Sequence, residues 1–176
     1  MIPTSTFCDD KNNIYVVVET PKGSRNKCDY NPAGNFFELG KVLPAGCIFP
    51  LDFGFIPKTK GEDGDPLDVL VLNDAPGTMG LVIKCRLIGV IEAEQKEKGK
   101  KKERNDRLLA VALESRDHSN LKDAKQINDN LVDELENFFK YYNAMCGKKF
   151  KLLGLKHKEV SLQRVQKGLA KEGEHP

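Results

Sequence analysis

Three aspartates within six residues form the most informative cluster of this 176-residue sequence: Asp63, Asp65 and Asp68. A glycine and a proline stand between them and prevent a helix, so the segment is predicted to be a loop that enters an apolar strand at 67–72. Carboxylates this close repel one another unless a cation neutralises them. Asp68 would lie inside that apolar strand, where it needs a partner or a metal ion.

The chemistry of this cluster indicates a hard cation. No cysteine or histidine lies near the aspartates, and carboxylate oxygens suit Mg²⁺, Mn²⁺ or Ca²⁺ better than Zn²⁺. The pattern does not fit an EF-hand, because the fifth and sixth positions counted from Asp63 hold Leu67 and Asp68, where that loop needs an oxygen ligand and a glycine. A polar turn that connects two strands is the alternative, since Asp-Gly pairs are common in turns.

Composition and charge exclude several classes of protein. Hydrophobic residues make up 39% and charged residues 31% of the chain, which is typical of folded globular proteins, and the net charge of +2 predicts no nucleic-acid partner. The five cysteines are odd in number and lack CxxC spacing, so neither a disulfide framework nor a zinc site is expected. No signal pattern begins the sequence, and its early apolar run is too short to span a bilayer. We therefore expect a cytoplasmic protein with no membrane partner.

The elements that must position the aspartates begin with strands. Short runs of β-branched, aromatic and apolar residues predict five of them, at 14–18, 36–39, 67–72, 81–91 and 108–113. The fourth run is long enough to bend, and Gly89 is the predicted position of the bend. Residues 92–107 then carry a dense run of lysines, which predicts an exposed hairpin loop between the last two strands. This loop is either a solvated turn or a rim that attracts phosphate.

The second half of the sequence is predicted to be mainly helical. Apolar residues at three- and four-residue steps from Ile127 to Tyr142 predict a helix with one buried face, which starts at Asn120 or a nearby aspartate and stops at Gly147. A strand at 150–155 and a shorter helix at 160–169 follow, before a polar tail that frays after Gly168. Strands followed by helices predict an α+β fold in one domain over 1–176, a small twisted, closed β-barrel (OB-like) flanked by two helices.

Several segments of the chain resemble the family I soluble inorganic pyrophosphatases. The run Asp-Gly-Asp-Pro-Leu-Asp-Val at 63–69 is similar to that family's signature loop. Other similar segments follow in the family's order, at 14–27, 49–57, 86–90, 108–111 and 138–142. The resemblance implies a small twisted barrel with flanking helices, Mg²⁺-dependent hydrolysis of inorganic diphosphate to two phosphates with Mn²⁺ as a substitute cofactor, and a homo-oligomer, specifically a hexamer.

The resemblance also implies roles for the residues that match the family pattern. Asp63 and Asp68 would be metal ligands, and Glu19 would reach a metal ion through water. Asp65 would be the catalytic base that takes a proton from a water acidified by the metal ions. Two further metal-binding aspartates of the family have no certain counterpart in this chain.

On the phosphate side, the resemblance implies that Lys27 and Tyr142 hold the substrate. Lys41 stands where the family has an arginine, which keeps the charge and loses the bidentate fork. Phe53 and Phe49 stand where the family has tyrosines, so two hydroxyl groups are lost near the substrate.

The largest departures lie in the lysine-rich loop, where the family carries two metal-binding aspartates and then a phosphate-binding lysine. The alignment places Gln95, Asn105 and Arg107 at these three positions. A shift of one residue would let Glu94 or Asp106 supply a carboxylate, although Asp106 could serve only if the strand has not begun there. Asn105 and Asp106 are both retained as metal-site candidates, and Arg107 as a substrate-binding candidate.

These departures lead to two alternative functions. Because Gln95 and Asn105 remove carboxylates from the metal end, the site is expected to bind one or two Mg²⁺ ions and to hydrolyse diphosphate slowly, or to prefer another phosphoanhydride. A family member that is catalytically inactive and only binds a phosphate ligand is the other alternative.

Overall fold

The computed structural model describes residues 1–172, with side chains through residue 169. Its strands are β1 (Ile14–Thr20), β2 (Asn26–Asn31), β3 (Phe36–Val42), β4 (Asp52–Ile56), β5 (Leu67–Leu72), β6 (Val82–Glu97), β7 (Glu103–Arg104), β8 (Arg107–Ala112) and β9 (Lys148–His157). A 3-10 turn (Ala124–Gln126) precedes helix α1 (Asp129–Met145), and α2 (Lys158–Glu172) follows β9. Within the described range, neither helix has the length and apolar character needed to traverse a lipid bilayer.

Five strands close into a barrel, as predicted. The pairings run β1–β4–β5–β8–β6, and β6 pairs back with β1, so the ring has no free edge. The β5–β8 pair is parallel, while the other four pairs are antiparallel. Strand β9 adds to β6 outside this ring, and β2 pairs with β3 as a separate hairpin. The α+β class with an OB-like barrel and two helices is therefore confirmed.

Three strands were not predicted: β2, β4 and the two-residue β7, which lies in the segment predicted to be a loop. The first two each have a local reason. Strand β2 is rich in polar residues and only partly buried, so it lacks an apolar pattern and depends on its pairing with β3. Strand β4 contains Gly54, where a Cβ would lie 2.1 Å from the carbonyl oxygen of Val17. Glycine weakens strand propensity, but here it allows the backbones of β4 and β1 to approach closely.

The bend at Gly89 is confirmed. The register of β6 against β8 shifts between Leu87 and Gly89. A Cβ at Gly89 would lie 2.3 Å from the carbonyl oxygen of Lys156 and 2.4 Å from the Cβ of Ala124, so only glycine fits. The bend therefore allows β9 and the 3-10 turn to pack against β6.

The lysine-rich segment is a hairpin, but its first strand is longer than predicted. Strand β6 continues to Glu97, because β9 pairs with it along its whole charged end. In this register Glu94 lies opposite Lys151 and Glu97 opposite Lys148. Cross-strand pairs of opposite charge stabilise a sheet, and local periodicity does not reveal them.

Helix α1 starts later than predicted and stops where expected. Asp123 caps the 3-10 turn by accepting a hydrogen bond from the backbone N–H of Lys125, and Asn128 then caps α1 itself. Gly147 follows the helix with φ of 68°, a left-handed conformation that ends it. Helix α2 runs through Gly168 to Glu172, so the polar tail does not fray at Gly168, and residues 173–176 lie outside the described part of the chain.

Alternation along the strands divides the core into two clusters. Leu70 and Leu109 share a cluster with Phe139 of α1. Their neighbours Val69 and Leu108 belong instead to the cluster that includes Val165 of α2. Side chains two positions before Leu70 and Leu109, which are Asp68 and Arg107, are therefore on the α1 side of the sheet.

Leu135→Ala should reduce the free energy of unfolding by about 2–5 kcal/mol, because Leu135 of α1 is 1% exposed and its truncation leaves a cavity. The matched control is Leu153→Ala in β9, where the side chain is 41% exposed and the loss should stay below about 1 kcal/mol. Urea denaturation measures both values. Equal losses in the two variants would contradict the packing of α1 on the sheet.

Candidate active site

An open cleft of about 980 Å³ lies between the start of β5, the β2–β3 hairpin and α1. It brings together nine of the side chains that the sequence singled out: Glu19, Lys27, Phe53, Asp63, Asp65, Asp68, Asn105, Arg107 and Tyr142. Among the described residues, Lys41 and Asp106 are the two predicted site residues that do not line this cleft.

The acidic loop is closed by its own backbone. The N–H of Gly61 donates to the carbonyl oxygen of Asp65 at 2.6 Å, and the N–H of Asp65 donates to Oδ1 of Asp63 at 3.1 Å. Gly64 adopts φ of 96°, a conformation that other residues rarely accept. This tight turn is the reason that Asp63 and Asp65 both line one cleft.

Asp68 and Arg107 lie side by side at the ends of two parallel strands. The register pairs Val69 with Leu108, which places the residue before each of them in adjacent positions. Burial raises the pKa of the Asp68 carboxyl, while the positive charges of Arg107 and Lys27 lower it and the carboxylates of Asp63 and Asp65 raise it. The negative charge of this cluster is therefore only partly compensated by the protein.

The donor set fits a hard divalent cation. Glu19, Asp63, Asp65 and Asp68 supply carboxylate oxygens to the cleft, and no cysteine or histidine is among its described lining residues. Such oxygen ligands favour Mg²⁺, Mn²⁺ or Ca²⁺ over zinc. A bound cation would also relieve the mutual repulsion of the three aspartates.

Glu19 occupies the inner wall of the cleft, with its side chain 8% exposed. Its Oε1 accepts a hydrogen bond from the backbone N–H of Tyr30 at 2.8 Å, and its Oε2 lies 4.0 Å from Nζ of Lys27. Burial raises the pKa of Glu19 to about 7, against the opposing effect of Lys27. The contacts hold this carboxylate between the two strands β1 and β2.

Lys27 is held in the cleft by contacts on several sides. Its Nζ donates to the carbonyl oxygen of Cys28 at 3.0 Å and forms an ion pair with Asp29. The same ammonium group lies 4.9 Å from the ring centroid of Phe53. Phe53 therefore supports the lysine through a cation–π contact and needs no hydroxyl group to do so.

Lys41 lies behind Tyr142 and does not line the cleft. The β2–β3 register places Lys41 opposite Lys27, and its Nζ lies 5.3 Å from the ring centroid of Tyr142. Its ammonium group also donates to Sγ of Cys146, which raises the pKa of Lys41. Burial raises the pKa of the Tyr142 hydroxyl, while both lysines lower it.

Gln95 and Asn105 face each other across the cleft wall. Nδ2 of Asn105 donates to Oε1 of Gln95 at 2.6 Å, and the backbone N–H of Asn105 donates to the carbonyl oxygen of Ala93 at 2.9 Å. Both side chains line the cleft. The two alignment positions that lost their carboxylates are thus part of the site.

Asp106 points to the opposite side of the sheet, toward α2. Its carboxylate lies 2.8 Å from Arg104 and 3.3 Å from Arg164. Glu92 contacts the same two arginines, at 3.2 and 3.0 Å, and lies 3.6 Å from Nζ of Lys156, which completes a five-residue charge network. Asp106 therefore does not line the cleft, because one residue along the chain reverses the direction of the side chain. It lines a smaller neighbouring pocket instead, together with Asp63, Asp68 and Asn105.

Glu94 was the other residue that a shifted alignment could have used. Its carboxylate is 2.7 Å from Nζ of Lys102 and does not line the cleft. Asp29 and Lys148, in contrast, line the cleft and were not among the predicted site residues. The signal for Asp29 is its two-residue spacing from Lys27 on β2, whereas Lys148 reaches the cleft only through the pairing of β9 with β6.

A second group of potential metal ligands lies elsewhere. Atoms of Asp123, His157 and Glu159 come within 4.8 Å of one another near the start of α2. Asp123 already accepts hydrogen bonds from the backbone N–H groups of Lys125 and Lys158. This carboxylate therefore serves as a helix cap, and the group is separate from the cleft.

Comparison with known proteins decides the family. A profile described as inorganic pyrophosphatase matches residues 16–172. The chain belongs to the inorganic pyrophosphatase family. The inorganic pyrophosphatase of Thermus thermophilus is 33% identical over 161 residues, which cover 90% of this chain and 89% of that protein. The inorganic pyrophosphatase of Corynebacterium efficiens is 38% identical over 130 residues, which cover 74% and 78% of the two chains.

Solved structures from the inorganic pyrophosphatase family share the fold. The crystal structure of the Thermus thermophilus protein matches with a TM-score of 0.87 at 31% identity and covers 96% of both chains. The Helicobacter pylori inorganic pyrophosphatase matches with a TM-score of 0.86 at 28% identity, covering 97% of this chain and 99% of the other. The resemblance inferred from sequence segments is therefore confirmed.

For this inorganic pyrophosphatase family member, we expect Mg²⁺ to raise the melting temperature, because a cation among the aspartates binds the folded chain only. At a concentration of about 100 times the Kd, the gain is about 2.7 kcal/mol. Asp68→Asn should lose most of this gain, whereas Asp133→Asn, at an exposed position of α1, should keep it. Calorimetric melting with and without Mg²⁺ measures the response, and an equal loss in both variants would contradict the metal site.

Proposed function

We propose that this protein hydrolyses inorganic diphosphate to two phosphates with Mg²⁺ as its cofactor. The observation that carries the proposal is the cleft, which three aspartates line together with Lys27 and Arg107. Carboxylates that attract cations and basic groups that attract phosphate are the two requirements of phosphoanhydride hydrolysis. The relatives named inorganic pyrophosphatase support the choice of diphosphate as substrate.

The residues of the acidic loop would hold the cofactor. Asp63 and Asp68 are the proposed ligands, with Glu19 as a contact through water. When bound, Mg²⁺ (or Mn²⁺ in its place) acidifies a water molecule and neutralises charge on the phosphoryl group. The loop geometry supports this assignment, because Gly64 holds Asp63 and Asp65 toward the same cleft.

Asp65 is the proposed catalytic base. It lines the cleft beside the two proposed ligands, and it accepts the proton that the attacking water loses as it bonds to phosphorus. Lys27, Arg107 and Tyr142 hold the phosphoryl oxygens and stabilise the charge that develops on the departing phosphate. Lys41 acts through Tyr142, whose ring it contacts, and Phe53 acts through Lys27.

We further propose that the protein works in the cytoplasm as a single domain and a homo-oligomer, a hexamer by family resemblance. Three large apolar residues on β3 are exposed in the single chain and would be covered by another copy: Phe36, Leu39 and Val42. No nucleic-acid or membrane partner is proposed. The alternatives of a different phosphoanhydride, or of phosphate binding without catalysis, are not favoured, because the relatives described above carry one and the same enzyme name.

Replacing the base tests the proposal. The parent protein should release phosphate from diphosphate in a Mg²⁺-dependent manner, and Asp65→Asn should reduce the rate by about 10²–10⁴-fold, because the general base is lost while the shape is kept. Asp133→Asn, at an exposed position of α1, is the matched control and should retain the parent rate. Colorimetric measurement of phosphate gives the rates. A parent without Mg²⁺-dependent release would refute the function.

A further inference from the structure

Arg107 is the buried cation whose hydrogen bonding is incomplete. Its side chain is 6% exposed and lies with Cζ 4.1 Å from the ring centroid of Phe139. One terminal nitrogen donates to the carbonyl oxygen of Asn105 at 3.0 Å. Its Nε, by contrast, is buried and has no hydrogen-bond partner among the described residues. A buried donor without a partner in a cleft indicates a ligand that accepts from it.

The neighbouring amide pair is electrically neutral. Gln95 and Asn105 form a 2.6 Å hydrogen bond with each other. Whichever way the two amides are oriented, one NH₂ group and one carbonyl oxygen remain free to bond to a ligand. Two carboxylates at this distance would need a cation between them. Two amides need none, so this wall of the cleft does not call for a metal ion.

The charges around this wall favour an anion. Lys148 lines the same cleft, and the β6–β9 register places Lys148 and Phe150 beside the end of β6 that carries Gln95. The carboxylates of the acidic loop lie on the β5 side. Asp68 lies beside Arg107 and offsets part of its charge. Asp106, the acidic residue next to Arg107 in sequence, is instead paired with Arg104 and Arg164.

We propose that Arg107 and the Gln95–Asn105 pair form a subsite that binds a phosphate group directly, with no cation between the protein and the anion. The guanidinium offers its free Nε, the amide pair offers an NH₂ donor, and Lys148 adds positive potential. The subsite rests on the proposed function and deepens it. One phosphoryl group of diphosphate depends on cations at the acidic loop, and the other depends on this neutral and basic wall.

Inorganic phosphate, titrated into the protein in EDTA, tests the subsite by calorimetry. The parent should bind one phosphate per chain without any divalent cation. Arg107→Met should abolish this binding, whereas Asp133→Asn, at an exposed position of α1, should change the Kd by less than about threefold.

A second variant tests the subsite without replacing the buried Arg107, whose loss could destabilise the fold. Gln95→Glu adds a negative charge at a partly exposed position, so it should weaken cation-free phosphate binding by about tenfold or more. Lys149→Gln, an exposed change on β9, should leave the Kd unchanged. No phosphate binding by the parent in EDTA, or parent-like binding by Gln95→Glu, would overturn the subsite.

The activity assay separates this inference from the proposed function. Mg²⁺-dependent release of phosphate from diphosphate, combined with no cation-free phosphate binding, would overturn the subsite and leave the hydrolase intact. Cation-free binding that depends on Arg107, in a protein that does not hydrolyse diphosphate, would support the subsite and overturn the hydrolase.

Discussion

The parallel pairing of β5 with β8 is the constraint on which the cleft depends. It places the first polar residue of each strand, Asp68 and Arg107, next to each other on the α1 side of the barrel. Barrel closure through β1 and β6 then fixes the positions of Glu19 and Gln95 relative to this pair. Acidic and basic side chains consequently line one volume, although their residues are far apart in sequence.

Aromatic rings support three of the basic groups in and around the cleft. Lys27 lies over Phe53, Lys41 over Tyr142 and Arg107 over Phe139. A ring attracts a cation without neutralising it, in contrast to a carboxylate. The core under α1 therefore contributes to the positions of these cations. Helix α1 contributes two of these rings, which explains why its packing matters to the chemistry.

Local sequence patterns were sufficient to predict some structural elements and not others. The acidic loop, strand β5 and the Gly89 bend each have a short-range signal, namely clustered aspartates, an apolar run and a glycine within a strand. The lysine-rich segment has no such signal, because its structure depends on β9, which is about fifty residues away in sequence and pairs with it through opposite charges. The choice between Asn105 and Asp106 depended on that same long-range pairing, so the residues alone left it open.

The charge network on the α2 side links the last helix to the wall of the cleft. Arg164 and Arg104 each contact both Glu92 and Asp106, and Asp106 immediately precedes Arg107. Loss of a single member leaves a partly buried charge without its full set of partners, whereas exchange of the members together restores the balance. We therefore expect the residues at these positions to covary among relatives, since each depends on the charge of the others.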